Sequence, residues 1–231
     1  MRGPSGGLER ALMDAGDDTR EAADVLGGIR DRNQAPNILA DVLANEERLA
    51  WVAERSYRHP NGFDRLVLHG GVDARRTVRL HIWWPDEPAS VEQIHNHAWD
   101  FSSLLLAGSL RFELFQPGGD IAKLHFRTGP PRAGGSGYRM RALGQTRVSR
   151  VFDAQLPTST VYTLDHRAFH RVARIGTEPT ATLIVHGPFR RQESDILADA
   201  PLDKHEEQHV RTFDVSELRG KLQRLIAAID G

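Results

Sequence analysis

Cysteine is absent from the 231 residues. This excludes disulfides, thiolate metal ligands and a cysteine nucleophile, so any metal must sit on His, Asp or Glu. No apolar run reaches the ~20 residues that a membrane span needs. The segment Met1-Arg2-Gly3-Pro4-Ser5-Gly6-Gly7 has no apolar stretch of the signal-peptide kind, so a cytoplasmic location is expected. An excess of either charge is missing too: 30 Lys and Arg stand against 31 Asp and Glu, for a formal charge of −1. With no basic stripe interleaved with aromatics, neither nucleic acid nor a membrane is an expected partner; a small molecule is. There is no solenoid repeat, no phosphate-cradling glycine loop before a helix, no Gly-x-Ser-x-Gly and no His-Glu-x-x-His. Gly134 to Gly137 is glycine-rich but lacks the lysine and helix of a phosphate loop, and marks a mobile loop instead.

The length suits one domain with extensions. Residues 1–62 form a helical N-terminal extension, 63–190 a β-barrel, and 191–231 a segment ending in a helix. Leu39, Val42, Leu43, Leu49, Ala50 and Ala53 fall close to helical spacing, and the resulting helix is expected to stop at His59-Pro60-Asn61-Gly62. A second, weaker helix is expected over Asp18 to Leu26. After Phe63 come short runs of β-branched and aromatic residues separated by Gly, Pro and Asp, the pattern of an antiparallel sandwich or barrel. Nine strands are expected between Arg65 and His186. Asp214 with Glu217 forms a capping box for a C-terminal helix, whose Leu218, Leu222, Leu225, Ile226 and Ile229 make one apolar stripe that must be covered by the barrel or by a second subunit.

His95-Asn96-His97 lies in a strand-like segment, where a period of two puts both imidazoles on one face about two strand rises apart. Two such rings can grip one ion, and a stable site wants a third donor. His170, opening the strand His170-Arg171-Val172 after a turn-like Asp165-His166-Arg167-Ala168, is the candidate. His166 reads as a loop histidine. His186, at the end of Leu183-Ile184-Val185, either reaches the surroundings of the metal or a substrate, or is a strand-end histidine satisfied by backbone.

Arg79, His81 and Trp83 share one strand face; Val78, Leu80, Ile82 and Trp84 share the other. Either face can point into a barrel, and the aliphatic one is favoured as the inner face. If the polar face points inward instead, Arg79 offers a bidentate grip on a substrate carboxylate and His81 a proton carrier. Both therefore stand as candidate catalytic residues, with His186 and with Asp100, read either as an acceptor for a metal-bound imidazole or as a turn residue. Tyr162, Arg111 and Arg150 are further strand residues that can line a pocket. His205 and His209, at i, i+4 spacing, read as part of a solvated charged run.

The run Ile94 to Phe115, with its His-x-His and Gly108, resembles the first cupin motif, and Tyr162 to Pro188 resembles the second, with His170 as its histidine. The resemblance implies a double-stranded β-helix. It covers Thr77 to Pro188 and departs from the family at Ser102, where a glutamate ligand is usual, and at Asp165 and Arg167, where the family usually has Pro and Gly. What remains is a three-histidine site of the kind found in thiol dioxygenases resembling cysteine dioxygenase. The lack of cysteine excludes the Cys–Tyr crosslink of some of those enzymes.

The resemblance implies Fe(II), although three histidines suit Zn, Ni, Co, Mn or Cu as well. The function it implies is a non-haem Fe(II) oxygenase acting on a small polar molecule. Two alternatives stand beside it: a metal-dependent isomerase, lyase or hydrolase, and a non-catalytic sensor of a small ligand. Ser102 is expected not to bind the metal, Ser102→Glu is expected to restore a fourth ligand, and a homodimer is an expected assembly.

Overall fold

A computed structural model describes residues 18–70, 76–87, 92–129, 139–202 and 211–230. Gly134 to Gly137 and the 204–209 run lie outside the described residues. Helix α1 (Thr19–Asp31) begins where Asp18 accepts a hydrogen bond from the Arg20 amide, and it buries Ala22, Leu26 and Ile29. The single helix expected around Leu39 to Ala53 is two, α2 (Ala35–Ala44) and α3 (Glu46–Ala53). Asn45 divides them: its backbone is extended, and its side chain caps α3 by accepting from the Arg48 amide. The chain is already extended at β1 (Tyr57–His59), before the expected stop.

The strands that follow are β2 (Phe63–His69), β3 (Thr77–Trp83), β4 (Ile94–His95), β5 (Trp99–Ala107), β6 (Ser109–Gly129), β7 (Arg139–Pro157), β8 (Val161–Leu164), β9 (Phe169–Ile175), β10 (Thr180–Phe189) and β11 (Ser194–Ala198). They form sheet A, ordered β1-β2-β3-β10-β5-β8, and sheet B, ordered β11-β4-β9-β6-β7. Every strand pairing is antiparallel. From β3 to β10 the chain alternates between the sheets except at the β6–β7 hairpin, to give 3-10-5-8 facing 4-9-6-7, which is the jelly-roll order of a double-stranded β-helix. The expected mainly-β barrel with helical ends is therefore the architecture found. At the β5–β6 turn Gly108 has φ +70°, and a Cβ there would meet the Pro179 carbonyl at 2.7 Å, so only glycine fits.

The long partners β6 and β7 exceed the short strands expected for them. A bulge between Pro117 and Ile121 interrupts their ladder, and Arg147 holds it by donating to the Gly119 and Asp120 carbonyls, both at 2.7 Å. Beyond the bulge, β6 pairs with β11.

The inner face of sheet A is not the aliphatic one. Phe63, Trp83, Phe101, Leu105 and Leu164 of sheet A pack with Leu110, Phe112 and Val172 of sheet B, so the face carrying Arg79, His81 and Trp83 points into the barrel. Val78, Leu80 and Ile82 point outward and join Leu104, Leu183 and Val185 in a core shared with the helices. The favoured expectation fails because helices before and after the barrel cover sheet A from outside, which removes the need for an aliphatic interior.

Helix α4 (Val215–Asp230) buries Leu218, Leu222 and Leu225 in that outer core. The expected stripe is thus covered by the barrel's own helices and sheet, with Ile226 and Ile229 partly buried beside it. Half of the expected capping box forms: the Glu217 amide donates to Asp214 at 2.7 Å, while the Glu217 carboxylate accepts from Arg211. Buried Asp64 fastens α4 to the sheet, accepting from Lys221 at 2.7 Å and from the Trp84 indole at 2.5 Å. Among the described residues no helix is long and apolar enough to cross a membrane.

Candidate metal centre

His95 and His170 are direct cross-strand partners in the β4–β9 pair, and their ring centroids lie 4.4 Å apart. His97 follows just beyond β4, its ring 4.8 Å from His95 and 5.0 Å from His170. One ligating nitrogen from each of the three lies within 4.8 Å of the others. A single ion with metal–nitrogen bonds of about 2.1 Å fits a cluster of that size.

Local backbone explains why these rings converge. Asn96 points the other way, and its side chain both donates to the Asp195 carboxylate (3.2 Å) and accepts from the Asp195 amide (2.7 Å), fixing the alternation in from both sides. The His97 amide donates to the His166 carbonyl at 3.2 Å, and Arg191 donates to the His97 carbonyl at 3.0 Å. Nδ1 of His95 lies 2.9 Å from the Gln93 carbonyl, and Nδ1 of His170 lies 3.2 Å from the Ala168 carbonyl. Each ring then donates from Nδ1, which turns Nε2 to the metal side. Burial pushes the imidazoles of His97 and His170 well below their ordinary value, and the neighbouring His95 adds to the effect. The donor set is thus three imidazoles with no carboxylate among them, which fits a divalent first-row ion.

The other candidates divide between the interior and the exterior. Arg79, His81 and His186 all face the barrel interior. The Arg79 guanidinium lies 5.0 Å over the Trp99 ring, which is also stacked on His97 at 5.3 Å and packed against His186 at 4.6 Å. His81 stacks on Phe63 at 4.4 Å. Tyr162 also faces inward, and burial pushes its phenol up to about 12. Arg111 and Arg150 lie on the outer face of sheet B instead, bonded to Asp153 and to Glu113 respectively.

Asp100 holds none of the three clustered imidazoles. Its carboxylate accepts from the His166 amide and Nδ1, each at 2.7 Å, and from Arg190 at 3.0 Å. The rings it was expected to orient are held by backbone carbonyls. Ser102 stands away from the three histidines, on the outer face of sheet A, where its hydroxyl donates to the Thr19 carbonyl at 2.7 Å and meets Thr163 at 2.9 Å. A glutamate at 102 would enter the α1 contact, so Ser102→Glu cannot restore a metal ligand. The inward residue beside it is Phe101, whose ring is 5.1 Å from His97.

Glu92 was read only as part of a strand. Its carboxylate accepts from the Val172 amide at 2.9 Å, taking the place of strand β4 where that strand has ended, and burial pushes its pKa up. His59 was read only as part of a helix stop. Its ring stacks on Phe63 at 4.5 Å, and burial lowers its pKa to about 3. The spacing Glu92-x-x-His95 was a visible signal for the first; nothing local marked the second.

No family model matches the chain, and no curated protein matches it. Among solved structures, hydroxypropylphosphonic acid epoxidase from S. wedmorenis aligns at 14% identity and a TM-score of 0.35, over 57% of this chain and 53% of that one. The chain thus spans about half the length of that enzyme. Drosophila melanogaster CENP-C bound to CAL1 aligns at 10% identity and a TM-score of 0.36, over 57% of this chain and 75% of that one. A hydroquinone 1,2-dioxygenase, PnpCD, in complex with Cd2+ and 4-hydroxybenzonitrile aligns at 12% identity and a TM-score of 0.33, over 54% and 63%. At these values the likenesses carry no argument about activity, and the fold rests on the strand order given above.

Proposed function

We propose that this chain is a metal-dependent cupin enzyme, an oxygenase of the non-haem Fe(II) type that acts on a small polar molecule inside the barrel. One observation carries the reading: three histidines, His95, His97 and His170, converge at one point of the barrel interior, whose sheet A wall also carries Arg79, His81 and His186. His95, His97 and His170 would hold the ion without adding a negative charge and leave positions open on it, so a bound metal would supply Lewis acidity and, if it were iron, redox chemistry with O₂.

The chain's own residues do the remaining work. Arg79, held over Trp99, binds a carboxylate of the substrate and sets its direction. His81 and His186, which burial keeps neutral, accept or hold a proton at Nε2. Phe63, Trp83, Phe101 and Phe112 exclude water, which strengthens each polar contact in the chamber.

The test is elemental analysis of the purified chain followed by anaerobic Fe(II) loading and oxygen-uptake measurements with candidate acids. About one ion per chain is expected, together with acid-dependent O₂ consumption. Metal retention without O₂ uptake would reassign the site to non-redox Lewis-acid chemistry. A chain that never retains metal would reduce the barrel to a ligand-binding module.

A further inference from the structure

The inner face of sheet A carries polar groups that the metal cluster does not use. Thr182 and His186 are 1% and 2% exposed. Thr182 Oγ1, His186 Nε2 and His81 Nε2 have no hydrogen-bond partner among the described residues. Ser103 Oγ, which faces Tyr162 across the β5–β8 pair, also lacks a bond of ordinary geometry. The register sets these atoms on one wall. Thr182 is opposite His81 on β3, Ile184 is opposite Ser103 on β5, and His186 is opposite Phe101. Residues 182, 184 and 186 point the same way, so the polar wall runs about 13 Å along β10.

Buried polar atoms without partners cost stability that apolar residues of the same shape would not, and native chains keep few of them. Several gathered on one inner wall of the barrel point to a ligand. The chemistry of that ligand follows from His186. Its Nδ1 lies 3.1 Å from the Gly187 carbonyl and donates there, which leaves Nε2 a lone-pair acceptor. Burial also lowers the His186 pKa, so the ring is not a cation seeking an anion. An acceptor of this kind asks for an O–H or N–H donor. An ammonium donor would stand beside the Arg79 charge in a poorly screened chamber, whereas a hydroxyl donor carries no such repulsion. Thr182, as a hydroxyl, can give or take a hydrogen bond with a second hydroxyl.

We propose that the molecule this chamber takes is a hydroxylated carboxylic acid, with its hydroxyls along β10 against His186, Thr182 and His81 and its carboxylate on the Arg79 side. This rests on the reading of the chamber as the substrate pocket and names the class of substrate.

Calorimetric titration of the metal-loaded full chain with two matched pairs, glycerate against propionate and gluconate against hexanoate, tests it. In at least one pair the hydroxylated acid is expected to bind about tenfold more tightly or better. Thr182→Val and His186→Phe, each checked for folding and metal content, are expected to remove most of that preference, read as the affinity ratio within each matched pair for the variant itself. Thr182→Val is also expected to melt at the same or a higher temperature without ligand, which separates a ligand role from a structural one.

Equal binding within both pairs, or no binding of any acid, would overturn the proposal and leave the wall to bound water only. A preference that survives both variants would overturn the assignment to β10. If the wild-type chain holds no metal, the enzyme reading fails, yet the preference for hydroxylated acids remains measurable on the metal-free chain, so the two failures are distinguishable.

Discussion

On the outer face of sheet A, Leu66, Val78, Leu80, Leu104, Leu183 and Val185 are sealed under helices. One residue along the same strands, on the inner face, stand Arg79, His81, Ser103, Thr182 and His186 among aromatic rings. In most small barrels the interior is the core. Here a second core lies outside the barrel, contributed by α1, α2, α3 and α4 from the two ends of the chain. Each fully buried leucine in it contributes about 1.5–3 kcal/mol. The interior can therefore hold polar atoms without partners and a cluster of imidazoles, groups that would cost a lone core dearly. The helical ends thus take over stabilising work and leave the barrel's interior able to hold polar groups.

Breaking one face at a time tests this division, and the largest effect is expected inside. His170→Ala should lose at least about nine-tenths of the bound metal, since it removes one of three donors at the centre of the cluster. Its circular dichroism should stay native. Leu222→Ala in the outer core should do the reverse: it should cost about 2–5 kcal/mol in denaturant unfolding and keep its metal. A folded His170→Ala protein with full metal occupancy would refute the three-histidine site.

Acid should act on the inner face next. Burial depresses the imidazoles of His59, His81 and His186, with His59 reaching about 3. A group depressed in the folded state contributes stability that is fully present above its unfolded value near 6.5 and is lost as pH falls toward the folded value. At pH 5 each such imidazole should lower stability by about 2 kcal/mol relative to pH 7.5. The measurement is urea unfolding of the metal-free chain at both values, which keeps metal release out of the comparison. Stability unchanged between pH 7.5 and pH 5 would show that these rings are not buried in neutral form.

The parts of this arrangement that local pattern governs were legible beforehand. Alternation in His95-Asn96-His97, the strand start at His170 and the leucine stripe of α4 are all short-range signals, and each corresponds to what the fold contains. The inner and outer faces of β3 were not legible from alternation, which distinguishes two faces but cannot say which one meets a helix from elsewhere in the chain. Ser102 fell to the same ambiguity, one residue out of phase with inward Phe101. The extension of β6 and β7 past the bulge was hidden because Pro117-Gly118-Gly119-Asp120 reads as a turn that ends a strand, whereas Arg147 bridges it. The two readings left open for Asp100 did not include its partner, the His166 turn, because that turn is distant in sequence.

That turn gives the smallest expected effect. Asp100 sits between the two faces compared above: it touches none of the clustered imidazoles, yet it holds the segment that leads into His170. One carboxylate oxygen accepts from both the amide and Nδ1 of His166, and the other accepts from Arg190. Burial by itself would raise its pKa, but the His166 and Arg190 bonds hold it below the ordinary carboxylate value. Two residues past His166, the Ala168 carbonyl receives Nδ1 of His170. Asp100→Asn keeps one oxygen acceptor and turns the other position into a donor, which must then face either Arg190 or His166. The expected cost is about 1 kcal/mol of stability, and because His170 is displaced only through the turn, metal affinity should fall by less than about tenfold. Competition with a chelator of known affinity measures the second quantity. A loss of metal as complete as that of His170→Ala would place Asp100 in direct control of the site, whereas unchanged affinity would show that the turn does not set the His170 ring.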